Sequence, residues 1–346
     1  DANTTGQNNT AVGQNALTEN TTGNSNTGIG WAALYTNTTT NQNTAVGRES
    51  LYLNAAADNT AVGYRSLYVN TTGTLNTAVG ANALDANTTG DHNVAIGNNS
   101  LGANTTGAAN VAIGDRALQT NTTSNNIVAV GYKALELNTA TSNTACGSNA
   151  LDVNTTGTQN NAFGHNALGS NTTASYNNAF GEQSLATNTT GSDNAGFGHR
   201  TLQLNTTGSY NTAVGANALD ANTTASYNTA VGRGALSACT TGNYNTAIGY
   251  NALTTTTTVG DQTAVGYNAL ANAGDSSIYN TAIGYKALEG LTTGTRCVAI
   301  GWEAGVSLTT SNRTIIIGQN AAQAVLTGDD NIIIGREAGH DMTSGT

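Results

Sequence analysis

The chain has 346 residues, 42 Gly, no Pro, 3 Cys and 9% charged residues, with a formal net charge of −10. That charge argues against nucleic acid or an anionic membrane as a partner, and 5% aromatic residues with a single Met argue against an ordinary globular core. No apolar run reaches the roughly 18 residues of a membrane-spanning helix.

From the N-terminus onward the chain repeats itself. A small-apolar-Gly signature, first seen as Ala11-Val12-Gly13, recurs at 20 glycines from Gly13 to Gly335. Sixteen of the 19 spacings are 17 residues, two are 16 and one is 18. The unit reads G-x-x-A-L-x-x-N-T-T-G-x-x-N-T-A-V. It is too short for a helix pair, which needs about 33 residues or more, and it lacks helical periodicity. Its Thr, Val, Asn and Gly content predicts one β-coil per repeat. A strand through Asn-Thr-Ala-Val, another near Ala-Leu, and turns at Gly and Asn-Thr-Thr-Gly would close each coil. The expected fold class is all-β, a β-solenoid (β-roll) of about 20 coils with a 17-residue repeat. Coils stacked about 4.8 Å apart would give a rod on the order of 95 Å. The absence of Pro fits, because Pro would remove a ladder donor. The Asn columns are expected to form side-chain amide ladders that cap turns.

Each column of the repeat predicts a location. The residue before the glycine is Val or Ile in most repeats, Cys146 once, and Phe163, Phe180 and Phe197 in three successive repeats. The fourth residue after it is Leu in 17 successive repeats, Leu17 to Leu288. These two columns, represented by Val12, Leu17, Phe163, Phe180 and Phe197, are assigned to the core ladder. Residues alternate across a strand, so the Ala column between Thr and Val is assigned to the other face. A continuous stripe of Ala11, Ala45, Ala78 and their equivalents suits close approach by another chain. The plainer alternative is that the Ala column fills a thin coil interior.

Regular repeats occupy residues 1–283. Residues 284–346 continue the same solenoid in an Ile-rich form, with Ile315-Ile316-Ile317 and Ile332-Ile333-Ile334 in the strands and Gly305, Ala322 and Gly339 in the Leu column. Apolar bulk moves there from the Leu column to the strand. Both ends fall within a repeat, at Asp1-Ala2-Asn3-Thr4-Thr5-Gly6 and at Met342-Thr343-Ser344-Gly345-Thr346, so an interior stretch of a longer polypeptide is expected.

The strings Asn-Thr-Ala-Val-Gly and Val298-Ala299-Ile300-Gly301 resemble the head repeats of trimeric autotransporter adhesins. The longer unit, Ala-Val-Gly-Tyr-x-Ala-Leu followed by Asn-Thr-Thr-Gly, is more similar to shaft repeats of phage tail-fibre-like proteins. The resemblance implies a left-handed β-roll in a parallel homotrimer. It implies a structural shaft that spaces a receptor-binding tip from a virion, the tip and its host glycan or receptor lying outside this chain. A bacterial surface adhesin whose rod binds glycans is the alternative, and an ice-binding solenoid a minor one. The expected location is a virion tail fibre or an extracellular cell surface.

No catalytic constellation stands out, so an enzyme, a cofactor and a metal site are not expected. His165 and His199 share a variable column two coils apart, too far to share a metal. Acidic residues such as Asp85, Glu136, Asp152, Asp220 and Glu289 recur in one column without an insertion to wall a cleft. Tyrosines are more organised. Tyr250, Tyr267 and Tyr285 share one column and Tyr227 and Tyr244 another, and such rows can face sugar rings.

Overall fold

The computed structural model describes residues 2–342. Asp1 and residues 343–346, which belong to the unfinished end units, lie outside the described residues. Two compact units divide the chain, Asp1–Thr173 and Ala174–Thr346. Each is a parallel β-solenoid. Among the described residues the first unit holds ten strands, Thr10–Val12 to Asn161–Phe163, and the second ten, Asn178–Phe180 to Ile332–Ile334. Every strand has three residues, and no helix occurs among the described residues. Pairing within each unit is parallel and in register, so Thr44, Ala45 and Val46 face Thr60, Ala61 and Val62. Identical columns therefore align along the stack.

The glycine that ends each strand has no substitute. At Gly47 φ is 136°, and an added Cβ would lie 2.4 Å from the carbonyl oxygen of Gly63 in the next coil. Both the dihedral and the close approach exclude a side chain.

Beyond that glycine the expected second strand near Ala-Leu is absent. Left-handed residues punctuate the segment instead, as at Glu49 (φ 57°) and Leu51 (φ 48°). An extended strand cannot form with positive φ at every second residue. Hydrogen bonding between coils survives this. Leu34 N–H donates to the Ser50 carbonyl in the following coil at 3.1 Å, and Ala32 N–H to Gln14 in the preceding one at 2.9 Å. A leucine in this conformation costs on the order of 1–2 kcal/mol. Complete burial of the side chain and a satisfied N–H offset that cost.

The interior has three constituents. The Leu column is one: Leu17 is 8% exposed, and Leu34 to Leu288 are buried. Small residues flank it, including Ala33, Ser50 and Ala83. The third is a pair of buried Asn columns. Asn104 Nδ2 donates to Asn87 Oδ1 and to the Gly107 carbonyl, both at 2.9 Å, and Asn121 Nδ2 donates to Asn104 Oδ1 at 3.2 Å. In the second column Asn93 Nδ2 donates to the Gly107 carbonyl and Asn93 Oδ1 accepts from Asn110 N–H. The amides thus satisfy turn carbonyls that the narrow coil shields from water.

The strand faces correct the sequence assignment. Ala45 and Ala78, assigned to a contact between chains, are fully buried inside the coil. Ala11 is exposed only in the first coil. Val12 (56% exposed), Phe163 and Phe197 point outward, and Phe180 is half-buried on the same outer face. Lateral room inside the coil sets the direction. A Cβ added at Gly28, in the Ala column, would already lie 3.2 Å from Leu17 Cγ. Beside a buried Leu there is space for a methyl group, and the larger residue must face out.

Candidate binding surface

Three features of the outer surface carry chemistry. The first is the column before the glycine, where Ile29, Ile96, Phe163, Phe197, Ile248, Ile283 and Ile300 are 37–42% exposed. It is Val, Ile, Phe or Cys at every coil and carries no charge. Its neighbour across the strand is mostly Thr, so Thr pairs with Val or Ile here and no two-column Thr array forms on this face.

The second feature is aromatic. Tyr250, Tyr267 and Tyr285 stack in successive coils with centroids 5.3 and 5.2 Å apart, and Trp302 continues the row at 4.1 Å. Tyr227 and Tyr244 form another stack with Tyr210, at 5.0 and 5.2 Å. In the first unit Tyr35, Tyr52 and Tyr68 stack likewise. The Arg48 guanidinium there sits 5.0 Å from the Trp31 ring and 5.8 Å from the Tyr64 ring, both in its own column. Trp302 was not singled out in the sequence, although it follows Tyr285 at the repeat spacing.

The third feature is a cleft of about 220 Å³ in the second unit, lined by Asn217, Asp220, Arg233, Gly234, Ser237, Tyr250 and Asn251. Its cause is local. The second residue after the strand glycine carries a side chain everywhere except Gly234. The adjoining coils have Asn217 and Asn251 there, in the same left-handed conformation. Arg233 stands over the Tyr250 ring at 5.9 Å. Asn217 Oδ1 is covered and has no hydrogen-bond partner. Burial raises the Asp220 carboxyl above the usual carboxylate range, and does the same to Asp85 and Asp152 in the equivalent column. The sequence held one signal for this cleft, a glycine in a column of longer side chains.

The remaining reactive groups are dispersed. Cys146 is exposed in the outward apolar column, whereas Cys239 and Cys297 are buried. Burial pushes the Cys239 thiol up to about 11 and raises that of Cys297. Among the described residues, no group of three or more His, Cys, Asp or Glu is placed to hold a metal ion. No helix among them is long and apolar enough to cross a membrane. In the Asn-Thr-Thr triplets Asn20 and its equivalents up to Asn222 are buried in the amide ladder, whereas Asn3 in the first triplet is exposed. No protein-family model and no curated protein matches the chain.

Proposed function

We propose that the chain is a shaft segment of a homotrimeric fibre of the phage tail-fibre kind, spacing a receptor-binding tip from a virion. The partner for a host-surface glycan or receptor is then that tip, outside this chain. A bacterial surface stalk would use the same architecture. The observation that supports assembly is the outward column of Val, Ile and Phe in each unit, interrupted only by Cys146 and free of charge. Nine such side chains in the first unit and ten in the second leave on the order of several hundred Å² of apolar surface per unit, the size at which a contiguous patch marks an interaction surface. Laid side by side, copies of the chain have matching axial repeats, so every coil meets an equivalent coil. The Asn ladders and in-register strands supply the stiffness that a spacer needs. A parallel trimer and a left-handed coil follow from the resemblance to fibre shafts.

Light scattering on the native chain tests this reading. A mass of three chains is expected, and Val62→Glu combined with Val231→Glu, one in each unit, should yield single chains with the β-signal retained. A native chain of monomeric mass at micromolar concentration would remove the assembly and, with it, the trimeric fibre.

A further inference from the structure

We propose that the cleft at Gly234 and the ring row Tyr250–Tyr267–Tyr285–Trp302 form one binding surface for an uncharged, β-1,4-linked oligosaccharide laid along the coil stack.

Tyr250 joins the two features, because it both lines the cleft and begins the row. The cleft offers groups suited to vicinal hydroxyls. The Asp220 carboxyl accepts, the Arg233 guanidinium donates, the Asn217 and Asn251 amides do both, and the Ser237 hydroxyl closes the set.

From the cleft the row advances one ring per coil. Centroid separations of 5.2–5.3 Å among the tyrosines exceed the thickness of a ring, so the rings are offset and each leaves part of its face uncovered. Tyr250, Tyr267 and Trp302 are 40%, 44% and 51% exposed. That advance is close to the length of one sugar residue in an extended β-1,4-linked chain, so successive sugars would meet successive rings in register. Charge along the strip is balanced but for one extra carboxylate, Glu303, which acts on Lys286. Lys286 Nζ lies 3.1 Å from Glu289 Oε2, and Asp220 and Arg233 share the cleft. A neutral ligand therefore fits better than a polyanion. The stacks at Tyr35–Tyr68 and Tyr210–Tyr244 repeat the ring spacing, but neither supplies a residue to this cleft.

This inference goes beyond the shaft reading and can fail separately from it, since one is read by calorimetry and the other by mass. The probes are β-1,4-linked hexamers of glucose and of N-acetylglucosamine, titrated into the full chain by calorimetry. Trp302 emission is followed in a Trp31→Phe background. Saturable binding of at least one hexamer with a change in Trp302 emission is expected. Gly234→Asn restores the side chain of the neighbouring coils at a backbone conformation Asn accepts, and it fills the cleft. An added Cβ would meet only the end of the Asn251 side chain, and an unchanged thermal melt is the control that the fold is kept. Gly234→Asn and Tyr267→Ala should each weaken binding about tenfold or more, a loss of roughly 1.4 kcal/mol. No saturable binding of either hexamer by the unaltered chain overturns the proposal. So does binding that Gly234→Asn leaves undiminished.

Discussion

Asn104 shows how one buried side chain holds neighbouring coils together. Its amide donates to Asn87 in one coil and to Gly107 in its own turn, while its oxygen accepts from Asn121 in the next. Asn104→Ala removes all three bonds and takes the amide donor from buried Asn87 Oδ1, while the Gly107 carbonyl keeps Asn93 and the Asn121 amide keeps the Ser124 carbonyl. A loss of about 1–3 kcal/mol is expected, read as a lower urea midpoint. An unchanged midpoint would mean that the ladder carries no net stability. The chain tolerates other residues in these columns where the surroundings change too, as at Ile127, Cys239 and Leu291, all buried. These Asn columns are legible in the sequence, because a polar residue recurring at fixed spacing in a tight turn points to a side chain bonded to backbone. The left-handed leucines are not legible. Leu has no preference for that conformation, and only the turn geometry at Leu34, Leu51 and their equivalents imposes it.

At the scale of the coil, volume moves between positions without loss. In the regular coils a strand Ala meets a Leu from the turn. Near the C-terminus Gly305 replaces the Leu and Ile316 the strand Ala. A Cβ on Gly305 would lie 2.8 Å from Ile316 Cδ1 and 3.0 Å from Leu288 Cδ2, so Ile316 has filled the vacated space. Ile316→Ala should therefore cost about 2–5 kcal/mol. Adding Gly305→Leu to it restores the regular pairing and should recover most of that loss, although Gly305→Leu alone is expected to destabilise by overpacking. Thermal melts of the three variants measure the coupling. Simple additivity would show that the two sites do not share one space. The exchange of apolar bulk was visible in the columns, but which two atoms compensate each other is a fact of packing.

At the scale of the whole molecule, Cys146 reports on assembly. It is the exposed thiol of the outward column, while Cys239 and Cys297 are buried with raised thiol pKa values. Parallel copies in register would bring their Cys146 side chains to the same height. A short bifunctional thiol reagent should then give a two-chain product that Cys146→Ser abolishes. A product that persists in that variant, or native protein that stays single-chained, would count against in-register assembly.

The sequence by itself determined the repeat, the β-coil, the columns and the buried Leu, because a strict 17-residue period forces equivalent residues into line once coils stack. It marked the two faces of the strand but did not fix which lay inside, and the assignment of Val to the core and Ala to the outer face is reversed in the structure. Ala and Val columns are both apolar, and alternation alone has no sign. Tertiary structure decided that point through the width of the coil, which beside a buried Leu admits a methyl group and turns Val, Ile and Phe outward. It also decided the cleft, since the missing side chain of Gly234 opens a space only when Asp220, Arg233 and Tyr250 from three successive coils are set around it.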